Sequence, residues 1–179
     1  MRLNLGAGPE WRAAPEGWEH ADRDNHGQQW VFDLAQPLSW PVELDGIELA
    51  VMHHTLHMLA PDPALLFLKA LRGRMVPGGV LRIGERDVHR GLVAHANGGQ
   101  WLHDVVADDV EPTLDGKLLR WLTWHGTVRT LWSPSSLGSA LERCGWRDAD
   151  VAQHGASRSL YGAELDTRPW ESFYVEAVA

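Results

Sequence analysis

The chain has 179 residues and a mass of 20.0 kDa, the size of one ordinary domain (1–179) that can bury its own core. Its 24 acidic and 16 basic residues give a formal charge of −8, which argues against nucleic acid as a partner. The single cysteine, Cys144, excludes an internal disulfide and fits a reducing compartment. No signal-peptide pattern and no apolar run long enough to cross a bilayer is visible, so we expect a cytoplasmic protein with no membrane partner.

Short apolar runs that end at glycines, aspartates or histidines predict a series of strands. In chain order they lie at 3–5, 18–21, 30–32, 47–52, 80–83 and about 146–152. A last strand is predicted at 172–178, where Phe173, Val175 and Ala177 alternate with Tyr174 and Glu176. Pro77, Gly78 and Gly79 predict a turn just before the fifth strand.

Two helices are clearly punctuated in the sequence. Asp62 is placed to cap a helix that runs to about Met75, and Ser133 is placed to cap a second helix that stops at Gly145. Strands that alternate with helices predict an α/β fold whose mostly parallel sheet is covered by helices on both faces.

The segment 88–126 shows no clean hydrophobic period, so we expect an irregular lid or substrate-binding segment. Trp101, Trp121 and Trp124 lie in it and either form an aromatic wall for a substrate or pin the segment to the core. His125 and Arg129 flank its end and could meet an acidic group of a substrate.

Ligands of open parallel sheets bind beyond the carboxyl ends of the strands. Those ends read Gly6-Ala7-Gly8, Asp22, Asp33 and His53-His54. Glycines allow a ligand to approach the backbone closely, and a carboxylate after the second strand can accept both hydroxyls of a ribose. Asp33 can accept the amino group of an adenine or cap the turn that follows it. This pattern predicts an adenosine-binding edge.

A dinucleotide is disfavoured at this edge. Glu10 stands where a third glycine is expected, and Asp22 comes only fourteen residues after Gly8 instead of about twenty. The pattern therefore favours a ligand that contains adenosine but no phosphate.

The order of these motifs resembles the S-adenosylmethionine-dependent (SAM-dependent) methyltransferases of the seven-stranded, Rossmann-like class I, and most closely their short type 11-like branch. The resemblance rests on residues 3–8, on Gly17-Trp18 leading to Asp22, on Phe32-Asp33-Leu34 and on residues 71–83. It implies a doubly wound sheet of seven strands with an antiparallel last strand, and S-adenosylmethionine as the cofactor.

The resemblance also implies roles for individual residues. Gly6, Ala7 and Gly8 would pass the methionine end of the cofactor, Asp22 would hold its ribose, and His53 would line the wall near its sulfonium. The full predicted cofactor-binding set is Gly6, Ala7, Gly8, Asp22, Arg23, Asp33, Leu34 and His53.

The chain also departs from the family pattern. An acidic residue is often found where Asn4 stands, and His57 and Met58 replace a Glu-His pair of the branch. We predict His54 as the general base, if a base is used, and no metal at the cluster of His53, His54 and His57. Arg86-Asp87 is read as a surface ion pair or a substrate contact.

These observations predict a methyltransferase that acts on a small molecule. The alternative is a cofactor-binding protein with weak or no catalysis that acts through a partner, which the altered histidine segment motivates.

Overall fold

The computed structural model describes residues 1–124 and 126–179. Within them, seven strands form one sheet in the order β3-β2-β1-β4-β5-β7-β6. The strands are β1 (Arg2–Leu5), β2 (Glu19–Asp22), β3 (Trp30–Val31), β4 (Ile47–His53), β5 (Met75–Arg86), β6 (Arg147–Ala152) and β7 (Ser172–Val178). The first five strands are parallel, and β7 runs antiparallel to both β5 and β6. The predicted α/β fold class is confirmed, including the antiparallel last strand.

The strand order reverses between β1 and β4. From β1 the chain moves outward through β2 to β3, and it then returns to place β4 on the other side of β1. Such a reversal opens a crevice at the carboxyl ends of the two strands. The crevice is flanked by the residues that follow Leu5 and His53, which is where the sequence predicts a ligand.

One face of the sheet carries the main hydrophobic core. Inward residues such as Leu3, Leu81 and Val175 pack there against helix α1 (Pro61–Arg72) and helix α5 (Pro134–Arg143). Ser133 caps α5 as predicted, since its hydroxyl accepts a hydrogen bond from the Ser136 N–H at 3.1 Å.

Three predicted details near α1 are wrong. The helix begins at Pro61 after Ala60, so Asp62 lies inside the first turn, where its charge still suits the helix dipole. The helix ends at Arg72 rather than Met75, because β5 already begins at Met75 and pairs with Ile47. The Pro77-Gly78-Gly79 segment is therefore part of a strand with a register shift and not a turn before it.

In the described residues, the other face of the sheet is covered by a long irregular connection and a short 3-10 helix, where α-helices were expected. The connection between β6 and β7, residues 153–171, crosses this face without a helix or strand; we call it the strap. Its Leu165 packs on Trp18, Leu49 and Val51. Beside β2, a 3-10 helix (Trp11–Ala13) covers the face, with the Trp11 ring 5.3 Å from the His20 ring.

A fully buried arginine fastens the strap to the sheet. Arg82 on β5 donates to Asp166 at 2.7 and 2.5 Å and to Glu176 on β7 at 2.8 Å. It also donates to the carbonyls of Gln153 and Ala156 at 2.8 and 2.9 Å. A buried charge must be paired, and here the pairing holds both ends of the strap.

Three helices occupy most of the described residues 88–124, so the expectation of an irregular stretch is wrong. Helices α2 (Val88–Ala96), α3 (Gln100–Val105) and α4 (Leu114–Thr123) share a small core of their own around Leu102, Val106 and Trp121. We call this unit the cap. Apolar periodicity does not predict these helices, because Gly91 and Lys117 are buried whereas Leu92 and Leu119 are exposed, so the hydrophobic stripe is broken. Its role as a lid stays a prediction.

None of the helices in the described residues is long and apolar enough to span a membrane.

Candidate functional site

The glycine turn after β1 is held tightly against the neighbouring strands. The N–H groups of Gly6 and Ala7 both donate to the carbonyl of Ala21, at 2.9 and 3.1 Å. Gly6 has a φ of +67°, and a Cβ at this position would lie 2.3 Å from the Thr55 hydroxyl. Only glycine lets the chain turn here and pass Thr55.

The space around Gly8 is open, whereas the space around Gly6 is crowded. It has a φ of +63°, and a Cβ added there would meet no described atom within 4 Å. Its N–H donates to the Asp22 Oδ2 at 2.9 Å, which joins the turn after β1 to the end of β2. The backbone of Gly8 therefore presents an unobstructed side at the edge of the sheet.

Asp22 is partly buried at the end of β2 and faces the glycine turn. Its Oδ2 accepts from Gly8, and its Oδ1 accepts from the Asp24 N–H at 3.0 Å. An ionised carboxylate offers about four acceptor positions, so two remain for a ligand. The exposed Arg23 forms only a surface ion pair with Asp24 at 3.3 Å.

The carboxylate of Asp33 is used within its own turn. It accepts from the Ala35 N–H at 2.9 Å and from the Gln36 amide at 3.1 Å. This is the turn-capping arrangement, one of the two alternatives that the sequence left open. Leu34 is buried in the main core, so only its backbone is available to frame a ligand.

A cavity of about 390 Å³ lies beside the glycine turn at the carboxyl edge. Its walls come from the glycine turn, the connection that follows it, the end of β4 and the strap. Four of the predicted residues line it, namely Gly6, Ala7, His53 and His54. Gly8, Asp22, Arg23, Asp33 and Leu34 do not line it and lie on the side of β2 and β3.

His53 closes the floor of the cavity between the end of β4 and the strap. Its ring lies 5.7 Å from the Tyr174 ring, and its Nε2 is 3.7 Å from the Asp166 carboxylate. Burial lowers the pKa of His53 to about 4, although Asp166 partly opposes the shift. The ring is therefore neutral at physiological pH, and neither of its nitrogens has a hydrogen-bond partner among the described residues.

His54 is held in a left-handed backbone conformation, with a φ of +48°. Its Nε2 lies 2.7 Å from the Ser172 hydroxyl, while its buried Nδ1 has no partner in the described part of the chain. Burial, with repulsion from Arg168 and Arg86, lowers the pKa of His54 to about 2. The imidazole can exchange a hydrogen bond with a ligand, but it cannot store a proton at neutral pH.

His57 forms a buried pair behind His54. Its Nδ1 lies 2.6 Å from the Glu85 Oε2, and its backbone N–H donates to the other oxygen of Glu85 at 3.2 Å. The His57 carbonyl accepts from Arg129 and Thr130 at 2.8 and 3.1 Å, so this residue connects β5 to the chain that leaves the cap. His125 lies outside the described residues.

The reading of Arg86-Asp87 as a surface ion pair is wrong. Arg86 is buried, donates to the carbonyl of Trp121 at 2.8 Å and lies over the Trp124 ring at 4.0 Å. Asp87 caps α2 by accepting from the Arg90 N–H. These contacts attach the cap to the end of β5.

The tryptophans of the cap take part in its packing. Trp121 is fully buried, and the Trp101 ring lies 5.2 Å from it. The Trp121 indole N–H donates to Glu171 of the strap at 3.1 Å. Trp121 therefore attaches the cap to the rest of the protein, which is the second of the two alternatives that the sequence left open.

The described residues bring one group of possible metal ligands within reach of a single ion. It consists of Asp22, Asp24 and His26 rather than the three histidines that follow β4. Asp24 is exposed and the other two are partly buried, and exposed acidic groups are common without an ion.

Comparison with solved structures now identifies the fold. The chain superposes on a SAM-dependent methyltransferase from Archaeoglobus fulgidus with a TM-score of 0.61 and 12% identity, covering 99% of this chain and 85% of that one. The chain has the class I methyltransferase fold. A SAM-dependent methyltransferase from Thermotoga maritima gives a TM-score of 0.60 at 16% identity, with 99% and 81% of the two chains covered. The complex of DhpI with S-adenosylhomocysteine (SAH) gives 0.54 at 16% identity, with 98% and 74% covered.

Sequence comparison adds nothing to this likeness. No protein-family model and no curated protein sequence matches the chain. The methyltransferase fold is therefore seen in the structure, where the strand order and the closing antiparallel strand agree with the resemblance noted in the motifs.

The sequence analysis missed the strap, which supplies one wall of the cavity through residues 164–168. One signal was present: Arg82 and Glu176 lie inside strands buried on both faces, where charges need partners. No pattern in the strap itself singles out Arg168, whose side chain reaches the cavity.

Proposed function

We propose that the protein is a methyltransferase that uses S-adenosylmethionine to methylate a small molecule. The observation that supports this most strongly is the hydrogen bond from Gly8 to Asp22, which joins an acidic strand end to the glycine turn whose Gly6 and Ala7 line the cavity. This arrangement lies at the reversal of strand order in a methyltransferase fold, where ligands of open α/β sheets bind.

The residues at the edge suit the adenosine part of the cofactor. Gly8 leaves open space for a ligand to approach its backbone, and Asp22 keeps free acceptor positions for two ribose hydroxyls. Leu34 and the turn held by Asp33 would frame the adenine, and the exposed Arg23 would flank it. DhpI was solved with SAH bound, which supports the same ligand for this chain.

When bound, the cofactor supplies a methyl group that is already activated by a positive sulfur. The protein then needs to align an acceptor and keep water out. The cavity walls would align the acceptor and exclude water. They consist of Gly6 and Ala7 on one side, His53 and His54 at the floor, and the strap opposite.

His54 remains the proposed residue for contact with the acceptor. Because its pKa is lowered to about 2, it acts as a neutral hydrogen-bond partner that orients the nucleophile rather than as a base that holds its proton. An acceptor with a lone pair available at neutral pH suits such a site.

The acceptor is proposed to be small. A cavity of about 390 Å³ is within the range of small-molecule sites, and the strap forms one of its walls. The net charge of −8 makes nucleic acid a poor partner. The cytoplasmic location stays a prediction.

Calorimetric titration tests cofactor binding. We expect SAH to bind the wild-type protein and NAD to give no heat. Asp22→Asn keeps one oxygen for the turn but loses the charge, so its affinity for SAH should fall by about tenfold or more, from the loss of hydrogen bonds worth roughly 1.5–3 kcal/mol. Asp45→Asn, an exposed aspartate before β4 at the opposite edge, is the matched control. Equal SAH affinity in the two variants would refute the ribose assignment.

Catalysis needs a separate assay. Release of SAH from S-adenosylmethionine should be seen with members of a panel of small thiols, amines and phenols, and not with DNA, RNA or peptide. A protein that binds SAH but methylates none of them would instead support the alternative of a binding protein that acts through a partner.

A further inference from the structure

The order of the strands places the charged groups of the site along one line. Along the carboxyl edge come Asp22 at the end of β2, the glycine turn after β1, His53-His54 at the end of β4, the end of β5 and the start of β7. Arg168 lies at this last position, since its carbonyl accepts from the N–H of Ser172, the first residue of β7, at 3.1 Å. Arg168 and Asp22 thus lie on opposite sides of the glycine turn and His53-His54.

The cavity contains one cation among the lining residues that the structure describes, and it is Arg168. The two histidines of the lining are neutral, as their lowered pKa values show. Three carboxylates also line the cavity, and two of them have ion-pair partners outside it. Asp166 is paired with Arg82, which it shares with Glu176, and Glu164 is paired with Arg2 at 3.7 Å and accepts from Trp18 at 3.0 Å.

The third carboxylate, Glu10, belongs to the opposite wall. It follows the glycine turn and precedes the 3-10 helix at Trp11–Ala13, whereas Arg168 is part of the strap. In the described residues no ion pair joins Arg168 to any of these three carboxylates, and its ion-pair partner is Glu171, which does not line the cavity.

Arg168 is held in place for binding and is not merely exposed. Its backbone has a φ of +56°, and its Nη1 donates to Glu171 at 3.0 Å. Glu171 in turn is fixed by the Trp121 indole of the cap. The Nε and Nη2 of Arg168 make no hydrogen bond in the described residues, and its side chain is 43% exposed. A guanidinium with free donors and a fixed stem suits a carboxylate.

We propose that Arg168 binds an anionic group of the methyl acceptor, so that the enzyme selects small acceptors that carry a carboxylate. The proposal rests on the methyltransferase function proposed above. A cofactor whose ribose meets Asp22 occupies the β2 and β1 part of the edge, which leaves the β7 end, with His54 and Arg168, for the acceptor.

Binding to the SAH-loaded protein tests this without knowledge of the natural acceptor. The probes are acetate, benzoate and 4-hydroxybenzoate, each compared with its uncharged counterpart acetamide, benzamide or phenol, by calorimetry or by ligand-observed NMR. We expect at least one carboxylate to bind about tenfold or more tightly than its counterpart, and Arg168→Met to abolish that preference. Arg90→Met is the control, because Arg90 donates to the strap at Pro169 but does not line the cavity.

A second comparison separates the acceptor from the cofactor, whose amino-acid end also carries a carboxylate. SAH and methylthioadenosine, which lacks that end, are titrated into the wild type and into Arg168→Met. The proposal expects both ligands to bind the variant as tightly as the wild type. A selective loss of SAH affinity would show that Arg168 serves the cofactor and would overturn the proposal.

The remaining outcomes are also distinguishable. If SAH fails to bind the wild type, the proposed methyltransferase function fails and this inference fails with it. If SAH binds but no carboxylate is preferred, or if Arg168→Met retains the preference, the inference alone is refuted. Arg168→Lys keeps the charge without the planar fork and should retain an intermediate preference.

Discussion

Replacement of Arg82 by Met tests how the strap is held on the sheet. The side chain is fully buried, and both carboxylates that it pairs, Asp166 and Glu176, are only 2% exposed. The variant leaves two buried carboxylates without their cation, and removal of one partner from a buried pair costs about 3–5 kcal/mol. The lost bonds to the carbonyls of Gln153 and Ala156 act in the same direction.

Urea unfolding at neutral pH measures this cost as a change in the free energy of unfolding. A loss of about 3–5 kcal/mol is a large share of the roughly 5–15 kcal/mol of an ordinary domain. Arg158→Met is the matched control on the same strap, because its partner Asp150 is 72% exposed and such pairs contribute about 1 kcal/mol or less. If the two variants lose the same free energy, Arg82 does not fasten the strap.

Three further predictions concern the edge of the sheet. The pKa of His53 is about 4 in the folded protein against 6.5 ordinarily, so the unfolded chain binds more protons between these values. The free energy of unfolding should therefore fall as the pH drops from about 6.5 to 4. Urea titrations should show that the free energy of unfolding of His53→Gln depends less steeply on pH than that of the wild type, and equal slopes would contradict the burial of a neutral ring. Gly6→Ala places a Cβ 2.3 Å from the Thr55 hydroxyl and should destabilise the fold by about 1–3 kcal/mol, with Thr55→Gly recovering part of the loss in the double variant; an unchanged melting temperature for Gly6→Ala would show that the turn is loose. Gly8→Val enters open space at a φ of +63°, where the backbone strain costs about 1–3 kcal/mol. Circular dichroism should therefore show a folded protein, and titration should show an SAH affinity lowered by about tenfold or more because the side chain blocks the approach to the backbone; normal SAH binding would mean that the glycine is only a turn residue.

The sheet could be predicted from the sequence because its strands are short apolar runs that stop at polar or glycine residues. The pattern of 172–178 predicted even the two faces of β7, since Phe173, Val175 and Ala177 enter the main core and Glu176 meets Arg82 on the other face. Helix α5 was also predicted, because its N-cap residue and its terminating glycine lie next to the helix in the sequence.

The parts that escaped prediction depend on contacts distant in sequence. The cap helices bury Gly91 and Lys117, which a search for apolar periodicity passes over. The strap has no regular structure and is held by Arg82, which lies 84 residues from Asp166 in the chain. Its contribution to the cavity could not be predicted, since Arg168 reaches the site only when the strap crosses the sheet.

The candidate site was predicted only in part, because some of its features arise from strand ends and others from contacts distant in sequence. The glycine turn and Asp22 follow directly from strand ends, and the structure brings them together through the bond from Gly8. The turn-capping role of Asp33 was one of two open alternatives. The low pKa of His54 arises from burial and from Arg168 and Arg86, neither of which is its neighbour in sequence.

A crystal structure of the protein soaked or grown with SAH tests the central claim most directly. The account predicts density for the ligand along the carboxyl edge, with the ribose hydroxyls on Asp22 and the chain of the ligand passing the backbone of Gly6 to Gly8 toward His53. Well-ordered SAH at another place, or an edge that stays empty at saturating SAH, would contradict it.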